Sequence, residues 1–505
     1  MLQIGFNATT AKLYGADDAA KVAVSTLLSY LVDGYEYTDA FKSRGWDGRS
    51  TFFNYTTGTF PRGFVNDVES MLRARGYEVQ RVCKPLPDPM GPLNPTVDSF
   101  GEDPRYDYQM KTVRALEQTG SMIARIATGG GKSRIALLAT ARINRPTLFI
   151  TTRTILMYQM KKAYDKAGFE TGILGDGEWE PKFVNVAMVQ TLQKRLEVPM
   201  PGDNSAAAMR QHRIVRQTLA FLETIEFLIG EEAHESGGNG YYEIAKAMRK
   251  AIYRLALTAT PFMRDSAEAN MRLKATFGPI GIDVTEKLLI ERGILARPLF
   301  KFSYTACPKG LRKTTPYQRA VELGIVENLE RNTDIVREAR RAVDYGLSVL
   351  ILVARKNHGK LLKESLLSMN VRAEYIFGEN NNAAREAALD KLRKGEIDVL
   401  IGSTILDVGV DAPAVGLVIL AGGGKAEVAT RQRIGRGMRE KKTGPNVCLF
   451  IDYHDEHSKH LRGHAMERQA IITQTPGFSE NVLANNNDFD YEALGFRRVT
   501  NALGS

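Results

Sequence analysis

The feature that most constrains the fold of this chain is a glycine-rich loop at residues 127–133, with the sequence Ala-Thr-Gly-Gly-Gly-Lys-Ser. An apolar stretch, residues 122–127, precedes the glycines, and a stretch of helical character, residues 134–141, follows them. Glycines in this strand–loop–helix context let backbone N–H groups approach phosphate at a helix N-terminus. The pattern therefore predicts an α/β fold built around a phosphate-binding loop.

Each position of the loop has a predicted role. Lys132 is expected to reach the β- and γ-phosphates, and the Ser133 hydroxyl is expected to ligate Mg²⁺. A similar string at residues 422–425 continues with Ala426, which has no hydroxyl for a metal, and is predicted to be an ordinary loop. The residues predicted to cradle the phosphates are Thr128, Gly129, Gly130 and Gly131.

A second string, residues 432–439, places Arg433, Arg436 and Arg439 on a predicted helix about three hundred residues further on. Phosphoryl transfer needs positioning and charge neutralisation more than covalent chemistry, and arginines supplied from a separate element serve both purposes. The two strings together predict a nucleotide site split between two lobes. The alternative for the arginines is a solvated or phosphate-binding basic helix face.

Further strings follow in order along the chain. Residues 228–234 end an apolar strand with the paired carboxylates Glu231 and Glu232, residues 258–261 close the next strand, and residues 402–413 follow another. With these motifs, residues 105–465 resemble the superfamily 2 helicases and translocases. The resemblance implies two RecA-like parallel-sheet lobes in tandem, with ATP and Mg²⁺ as cofactors.

The resemblance also implies roles for individual residues. Glu232 matches the carboxylate that orients or deprotonates the attacking water, and Gln109 matches the glutamine that reads the adenine edge. Arg436 and Arg439 match the arginine fingers, which makes Lys132, Glu232, Arg436 and Arg439 the implied catalytic set. Gly409 and Asp411 are expected to touch the nucleotide from the second lobe, and Ser133 and Glu231 to hold the metal. The implied coupling residues are His234, Thr258, Thr260 and Gln432.

One position departs from the family pattern. The family commonly has Asp-Glu-x-His at this motif, whereas this chain has Glu231, Glu232, Ala233 and His234. The extra methylene of glutamate moves the carboxylate by about an ångström unless the backbone compensates. A displacement of that size can cost on the order of a hundredfold in rate. Two readings stay open: the site accommodates Glu231, or the protein is a slow ATPase.

Several polar residues at strand ends are expected to face nucleic acid. In the family, such positions hold the sugar–phosphate backbone without reading sequence. The alternative is that these residues are exposed to solvent at strand ends and bind nothing. The residues at these positions are Arg153, Gln190, Thr191, Arg355, Lys356 and Ser403.

The first ninety or so residues are predicted to form a small α+β domain. The stretch Trp46 to Arg49, with the strand, turn and helix after it, resembles the N-terminal domain of the UvsW-type recombination helicases of tailed phages. The resemblance implies work on branched DNA, with Arg44 and Arg49, besides Lys42 and Arg62, on DNA phosphates. Trp46 is expected either to stack on a base or to pack in the core.

Composition agrees with a nucleic-acid partner. The net charge is +10 and the isoelectric point about 9.3, which suits a polyanion. Three separated cysteines and the lack of a long apolar run predict a protein of the cytoplasm, that of a bacterial host if phage-encoded. The predicted domains are residues 1–95, a linker at 96–104, a first lobe at 105–292, an interlobe linker at 293–298, a second lobe at 299–468 and a tail at 469–505.

The sequence thus predicts an ATP-dependent DNA helicase acting on branched or single-stranded DNA. Three alternatives stay open: a duplex translocase that does not unwind, an RNA helicase, and a weakly hydrolysing annealing switch. Four histidines between His454 and His464 have helical spacing, but no recognised zinc pattern accompanies them. They are predicted to lie on a charged, solvated helix.

Overall fold

The computed structural model describes residues 1–99, 101, 103–203, 205–232, 239–262, 266–377, 382–402, 415–424, 434–435, 437–484 and 487–499. The chain forms two compact units, residues 1–126 with 131–284, and residues 127–130 with 285–505. Among the described helices, none combines the length and the apolar character needed to cross a membrane.

The N-terminal region is a small α+β domain. Its strands are β1 (Leu2–Phe6), β2 (Thr10–Tyr14), β3 (Ser29–Leu31), β4 (Arg49–Thr51), β5 (Thr59–Pro61) and β6 (Val79–Val82), and its helices are α1 (Asp18–Leu27), α2 (Asp39–Lys42) and α3 (Val65–Ala74). One sheet has the order β5-β2-β1-β6, and β3 pairs with β4 separately. The apolar faces of α1 and α3 cover the larger sheet, with Val24, Val68 and Leu72 fully buried.

An eight-stranded sheet forms the core of the first lobe. Its strands are β7 (Ser121–Ile126), β8 (Thr147–Thr151), β9 (Thr171–Gly175), β10 (Glu178–Trp179), β11 (Val184–Met188), β12 (Phe227–Glu231), β13 (Tyr253–Thr258) and β14 (Ile280–Val284). The order is β10-β9-β11-β8-β12-β13-β7-β14, and every pairing except that of β10 with β9 is parallel. Strands β8, β12 and β13 are buried along their whole length, as expected when helices cover both faces.

Seven described helices accompany this sheet. They are α4 (Asp107–Thr119), α5 (Lys132–Ile143), α6 (Thr154–Lys166), α7 (Val189–Leu196), α8 (Ala206–Leu222), α9 (Asn239–Ala247) and α10 (Ala267–Phe277). Helices α5, α6 and α7 each start within a few residues of a strand end, so their first turns lie at the carboxyl edge of the sheet. That edge is where ligands bind in open parallel α/β sheets.

The second lobe is built on six parallel strands. They are β15 (Arg297–Ser303), β16 (Val349–Leu352), β17 (Ala373–Ile376), β18 (Val399–Gly402), β19 (Leu417–Leu420) and β20 (Val447–Tyr453), in the order β15-β20-β19-β16-β18-β17. The described helices are α11 (Glu286–Glu291), α12 (Tyr317–Val321), a π-helix (Glu322–Val326), α13 (Leu329–Asp344), α14 (Lys356–Ser368), α15 (Asn382–Lys394) and α16 (Lys459–Gln474). The predicted fold class, two parallel-sheet lobes after a small α+β domain, is confirmed.

The described part of the C-terminal segment packs on the second lobe. Phe489 and Tyr491 are 1% and 2% exposed and belong to the core of that lobe. The Tyr491 ring stacks on Tyr345 with 4.6 Å between centroids, and the Val499 N–H donates to the Asp344 carbonyl. Residues 487–499 therefore contribute to the second lobe, which the polar composition of this segment did not indicate.

Candidate nucleotide site and nucleic-acid surface

The glycine-rich loop has the geometry of a phosphate cradle. It leaves the end of β7 and enters α5, whose first residue is Lys132. Gly129 and Gly131 have φ angles of +87° and +78°, in the left-handed region that favours glycine. Gly131 is the N-cap of α5, so the first-turn N–H groups and the positive end of the helix dipole lie at the loop.

Two residues a hundred positions apart meet beside this loop. The Lys132 Nζ lies 3.2 Å from Glu232 Oε1, and both side chains are largely buried. Glu232 follows β12 with a φ of +43°, and its N–H donates to the Leu257 carbonyl of β13. A left-handed backbone at a non-glycine residue is the kind of strain that concentrates at active sites. Phosphate bound to Lys132 would compete with this ion pair.

The neighbouring strand ends supply the rest of this cluster. Glu231, the last residue of β12, is 7% exposed. Thr258 ends β13 and is fully buried, and its hydroxyl accepts a hydrogen bond from the Thr260 N–H at 3.2 Å. The buried Thr260 hydroxyl has no hydrogen-bond partner within the described part of the chain. Adjacent parallel strands thus bring two carboxylates and two hydroxyls to the edge where Lys132 begins α5.

Gln109 is held beside the same loop. It lies on α4, is 1% exposed, and accepts a hydrogen bond at 2.6 Å from Arg134 through its amide oxygen. A Cβ added to Gly131 would lie 2.4 Å from Gln109 Nε2, so the amide nitrogen is the end directed to the loop. Arg134 is in turn paired with Asp98. Sequence reasoning found Gln109 but missed the arginine and aspartate that orient it.

Two of the predicted nucleic-acid motifs of the first lobe come together. Arg153 precedes α6 after β8, and Gln190 and Thr191 lie in the first turn of α7 after the neighbouring strand β11. The Gln190 side-chain amide donates to the Thr152 carbonyl at 3.1 Å. The carboxyl ends of β8 and β11 therefore form one polar surface.

The corresponding residues of the second lobe begin α14. Arg355 and Lys356 are exposed at the end of β16, and the Lys356 ammonium lies 4.8 Å from the centroid of Phe377. They border a cavity of about 350 Å³ that α12 and the π-helix also line. The position at a strand end is the one that the sequence predicts.

The N-terminal residues that were predicted to contact DNA differ in their exposure to solvent. Arg44 and Arg49 are exposed, and Arg44 lines a cavity of about 620 Å³ with Trp46 and Lys42. The Trp46 indole is half-buried and donates to the Arg49 carbonyl at 2.6 Å. It is therefore neither fully packed in the core nor fully exposed for stacking on a base. The prediction for Arg62 was wrong: it is 9% exposed, donates to the Ile252 carbonyl at 2.8 Å, and burial lowers its pKa to about 10.

Six of the predicted site residues lie outside the described residues: His234, Ser403, Gly409, Asp411, Gln432 and Arg436. Arg439 is described and exposed. It forms a bridge with Leu295 and lines a cavity of about 1240 Å³ in the second unit.

Only His460 and His464 of the four histidines lie on α16, so the prediction of one helix for all four was wrong, and the four pack against the segment after β15. His457 Nε2 lies 2.6 Å from the Thr305 carbonyl, His454 contacts Tyr304, and His460 and His464 contact Tyr317. Across the described residues, no three His, Cys, Asp or Glu side chains are placed to hold a metal ion.

Two buried arginines of the second lobe were missed by sequence reasoning. Arg331 pairs with Asp455 at 2.9 Å and donates to the Ala421 carbonyl, and Arg468 pairs with Asp452 and donates to the Gly424 carbonyl. Both therefore hold the turn after β19, which leads toward the predicted arginine-finger helix. Their partners lie 124 and 16 positions away, so no local pattern could have revealed them.

Comparison with known proteins matches this architecture. The family described as type III restriction enzyme, res subunit, matches residues 103–263, and the helicase conserved C-terminal domain matches residues 331–441. A Sulfurisphaera tokodaii protein named DNA 3'-5' translocase XPB2 is 27% identical over 66% of this chain and 78% of its own length. The ATP-dependent DNA helicase uvsW of Enterobacteria phage T4 is 22% identical over 84% of this chain and 85% of its own length.

Solved structures agree on the fold. A fragment assigned as an HsdR subunit of a type I restriction enzyme from Vibrio vulnificus has a TM-score of 0.52 at 17% identity, covering 74% of this chain and 66% of that one. The two matched domains, in this order on one chain with this fold and this site, define an ATP-hydrolysing DNA helicase of superfamily 2. Within that class the chain resembles the UvsW-type phage helicases.

Proposed function

We propose that this helicase acts on branched DNA, migrating junctions, regressing forks, annealing strands and displacing strands from D-loops and R-loops. The observation that carries the proposal is the extent of the relationship with the phage T4 helicase. The alignment spans 447 residues, more than the 364 positions from 105 to 468 that the sequence assigns to the motor. The similarity therefore reaches beyond the motor. The domain boundaries given from the sequence, and action in the cytoplasm of a bacterial host, form part of this proposal.

The proposed hydrolytic step uses residues of the first lobe. Lys132 binds the β- and γ-phosphates, and Gln109 contacts the adenine edge. Glu232 orients a water molecule that attacks the γ-phosphorus while the bond to the β–γ bridging oxygen breaks, and the water proton passes to the carboxylate. Support comes from the 3.2 Å ion pair of Lys132 with Glu232 beside the glycine loop.

Mg²⁺ fits the same cluster. Ser133 lies in the first turn of α5, and the Glu231 carboxylate at the end of β12 is buried, so hard oxygen donors stand beside the loop. Ser133 and Glu231 would hold Mg²⁺ when ATP is bound, and the ion would supply positive charge to neutralise the phosphates. The role of the second lobe rests on the sequence motif: Arg436 and Arg439 would complete the charge neutralisation, so that hydrolysis requires closure of the lobes.

The proposed nucleic-acid contacts are directed at the sugar–phosphate backbone. Arg153, Gln190 and Thr191 of the first lobe and Arg355 and Lys356 of the second stand at strand ends, as motors of this class require. The N-terminal domain adds the exposed Arg44 and Arg49 beside the half-buried Trp46. Ser403 is included in this proposal from the sequence motif.

A duplex translocase that does not unwind is the second candidate. It is favoured by the 27% identity with a protein named as a DNA translocase and by the fold shared with a type I restriction subunit. The N-terminal domain, which the translocase reading leaves without a role, favours the branched-DNA proposal.

The test is steady-state ATP hydrolysis, followed by strand displacement and junction migration, with five additions in parallel: buffer, single-stranded DNA, duplex DNA, a four-way junction and RNA. The branched-DNA proposal expects the largest stimulation from junction or single-stranded DNA, together with strand separation. Stimulation by duplex alone without separation would establish the translocase. Stimulation by RNA alone would establish an RNA helicase, and ATP binding without turnover would establish the annealing switch.

A further inference from the structure

Helix α8 has a composition that sets it apart from its surroundings. Its 17 residues, Ala206–Leu222, include three arginines and no aspartate or glutamate. Arg210, Arg213 and Arg216 are all exposed, and they recur at every third position on the outer face of the helix. Within the described part of the chain, none of the three makes an ion pair or a side-chain hydrogen bond.

Three other arginines on helices of this unit form ion pairs with glutamate. Arg73 bonds Glu69, Arg142 bonds Glu117, and Arg272 bonds Glu268. Local stability rules favour acidic residues near a helix N-terminus and opposite charges at neighbouring turns. Helix α8 follows neither rule, because the carboxylates nearest to it in the sequence, Asp203 and Glu223, lie beyond its ends. A departure from local rules without a structural gain marks a functional surface.

The helix is anchored to one of the predicted nucleic-acid motifs. The Gln211 amide donates to the carbonyls of Lys194 and Glu197 at the end of α7, and Arg195 of α7 donates to the Thr218 hydroxyl. The first turn of α7 carries Gln190 and Thr191. These contacts and the buried side chains of Val215 and Leu222 therefore fix α8 against α7, with the three arginines on the opposite, solvent-facing side of the helix.

We propose that the outer face of α8, through Arg210, Arg213 and Arg216, binds the phosphate backbone of DNA outside the helicase motifs. The Cα atoms of Arg210 and Arg216 are about 9 Å apart along the helix axis, six residues at 1.5 Å each, a spacing that suits neighbouring phosphates of one strand. Arginine suits this role because its planar fork binds phosphate oxygens in pairs. The face is an additional DNA-binding surface that takes no part in ATP hydrolysis. This inference rests on the proposed DNA helicase function.

The test is equilibrium binding of fluorescent single-stranded and duplex DNA by the full chain, without nucleotide, between 50 and 300 mM salt. The test variant carries Arg210→Gln, Arg213→Gln and Arg216→Gln. The control carries Lys162→Gln, Lys166→Gln and Lys250→Gln, three exposed lysines of the same unit without ion pairs in the described part of the chain. All six changes are on the surface, so both proteins should fold.

Each lost phosphate contact should flatten the slope of log affinity against log salt by about 0.7 for single strands or about 0.9 for duplex. The test variant should therefore lose about 2 units of slope on single strands, or nearly 3 units on duplex, and about tenfold or more in affinity. The control should keep the parent slope. If the test variant loses more affinity for single strands than for duplex, single-stranded DNA binds α8, and the reverse result identifies duplex DNA. An unchanged test variant, or an equal loss in the control, would overturn the inference.

Hydrolysis separates this inference from the proposed function. The test variant should keep the parent kcat at saturating DNA and require about tenfold more DNA for half-maximal stimulation. Parent protein that binds DNA without stimulated hydrolysis would contradict the proposed function and leave the α8 site intact. Normal stimulation in both proteins at the same DNA concentration would contradict the α8 site alone.

Discussion

At the scale of single residues, the ion pair of Lys132 with Glu232 links two steps of the reaction. The ammonium rests on the carboxylate at 3.2 Å, in a largely buried setting where the charges are only weakly screened. In the proposed mechanism, phosphate draws the ammonium away, and the ion pair with Glu232 breaks when this carboxylate must orient water. In this proposal the pair couples arrival of the nucleotide to release of the general base.

Replacing Lys132 tests this site directly. Lys132→Ala should abolish ATP hydrolysis, because it removes the charge on the phosphates and leaves the Glu232 carboxylate largely buried without this partner. Steady-state phosphate release with saturating DNA measures the loss. Lys425→Ala is the matched control, since that lysine ends the similar glycine string without a following hydroxyl residue. Equal activity of the two variants would refute the assignment of the phosphate loop.

The position of Glu231 makes a second prediction at this scale. Glu231→Asp restores the residue common in the family and shortens a buried side chain by one methylene, so ATP hydrolysis should equal or exceed that of the parent. The measurement is kcat over a range of Mg²⁺ concentrations, with Glu180→Asp at an exposed position as the control. A large loss of kcat would show that the backbone of β12 is built for the longer side chain.

At the scale of elements, helices α13 and α14 meet through a buried histidine. His358 is fully buried, its Nε2 lies 2.9 Å from Asn332 Oδ1, and burial, followed by the charge of Arg331, lowers its pKa to about 3. Below pH 6.5 the unfolded chain protonates this histidine while the folded protein keeps it neutral. The unfolded state then binds more protons, so the free energy of unfolding falls as the pH falls from 6.5 toward 3.

The size of this effect can be measured by chemical denaturation at pH 6.5 and 5. One pKa unit corresponds to 1.36 kcal/mol, so His358 alone should remove about 2 kcal/mol of stability over this interval. His358→Gln keeps an amide that can donate to Asn332 and cannot titrate, so its loss over the same interval should be smaller by about that amount. His212→Gln, at an exposed position, should lose as much as the parent. Identical losses in all three proteins would show that His358 does not control this dependence.

The elements also show what a sequence can and cannot predict. Periodicity and glycine placement predicted the strand, loop and helix around residues 121–143, because those signals are local. The partners that orient the site were not predictable, since Arg134 reaches Gln109 across 25 positions and Arg331 reaches Asp455 across 124. The burial of Phe489 and Tyr491 was also missed, because two aromatic residues in a polar segment form no helical or strand periodicity.

At the scale of the whole molecule, the two sheets share one design. Each is parallel, apart from the edge strand β10 of the first sheet, and has its polar motif residues at the strand ends. In the proposed mechanism, Lys132 of α5 and the carboxylates that follow β12 act on the bound nucleotide before the arginines do. Hydrolysis needs neutralisation of the charge that develops on the transferring phosphoryl group, and the sequence assigns that task to arginines of residues 432–439. Binding and turnover should therefore be separable by mutation.

Arg436→Ala tests that separation. The variant should bind ATP nearly as well as the parent, because the phosphate loop is intact, while hydrolysis falls by about 10³-fold or more, the usual contribution of an arginine finger. Fluorescent-nucleotide titration measures the binding, and single-turnover phosphate release measures the chemistry. Arg462→Ala, at an exposed arginine on α16 of the same lobe, controls for loss of charge and should behave as the parent. Normal hydrolysis by Arg436→Ala would exclude a site completed by this residue, whereas loss of ATP binding would place the residue in nucleotide capture instead of turnover.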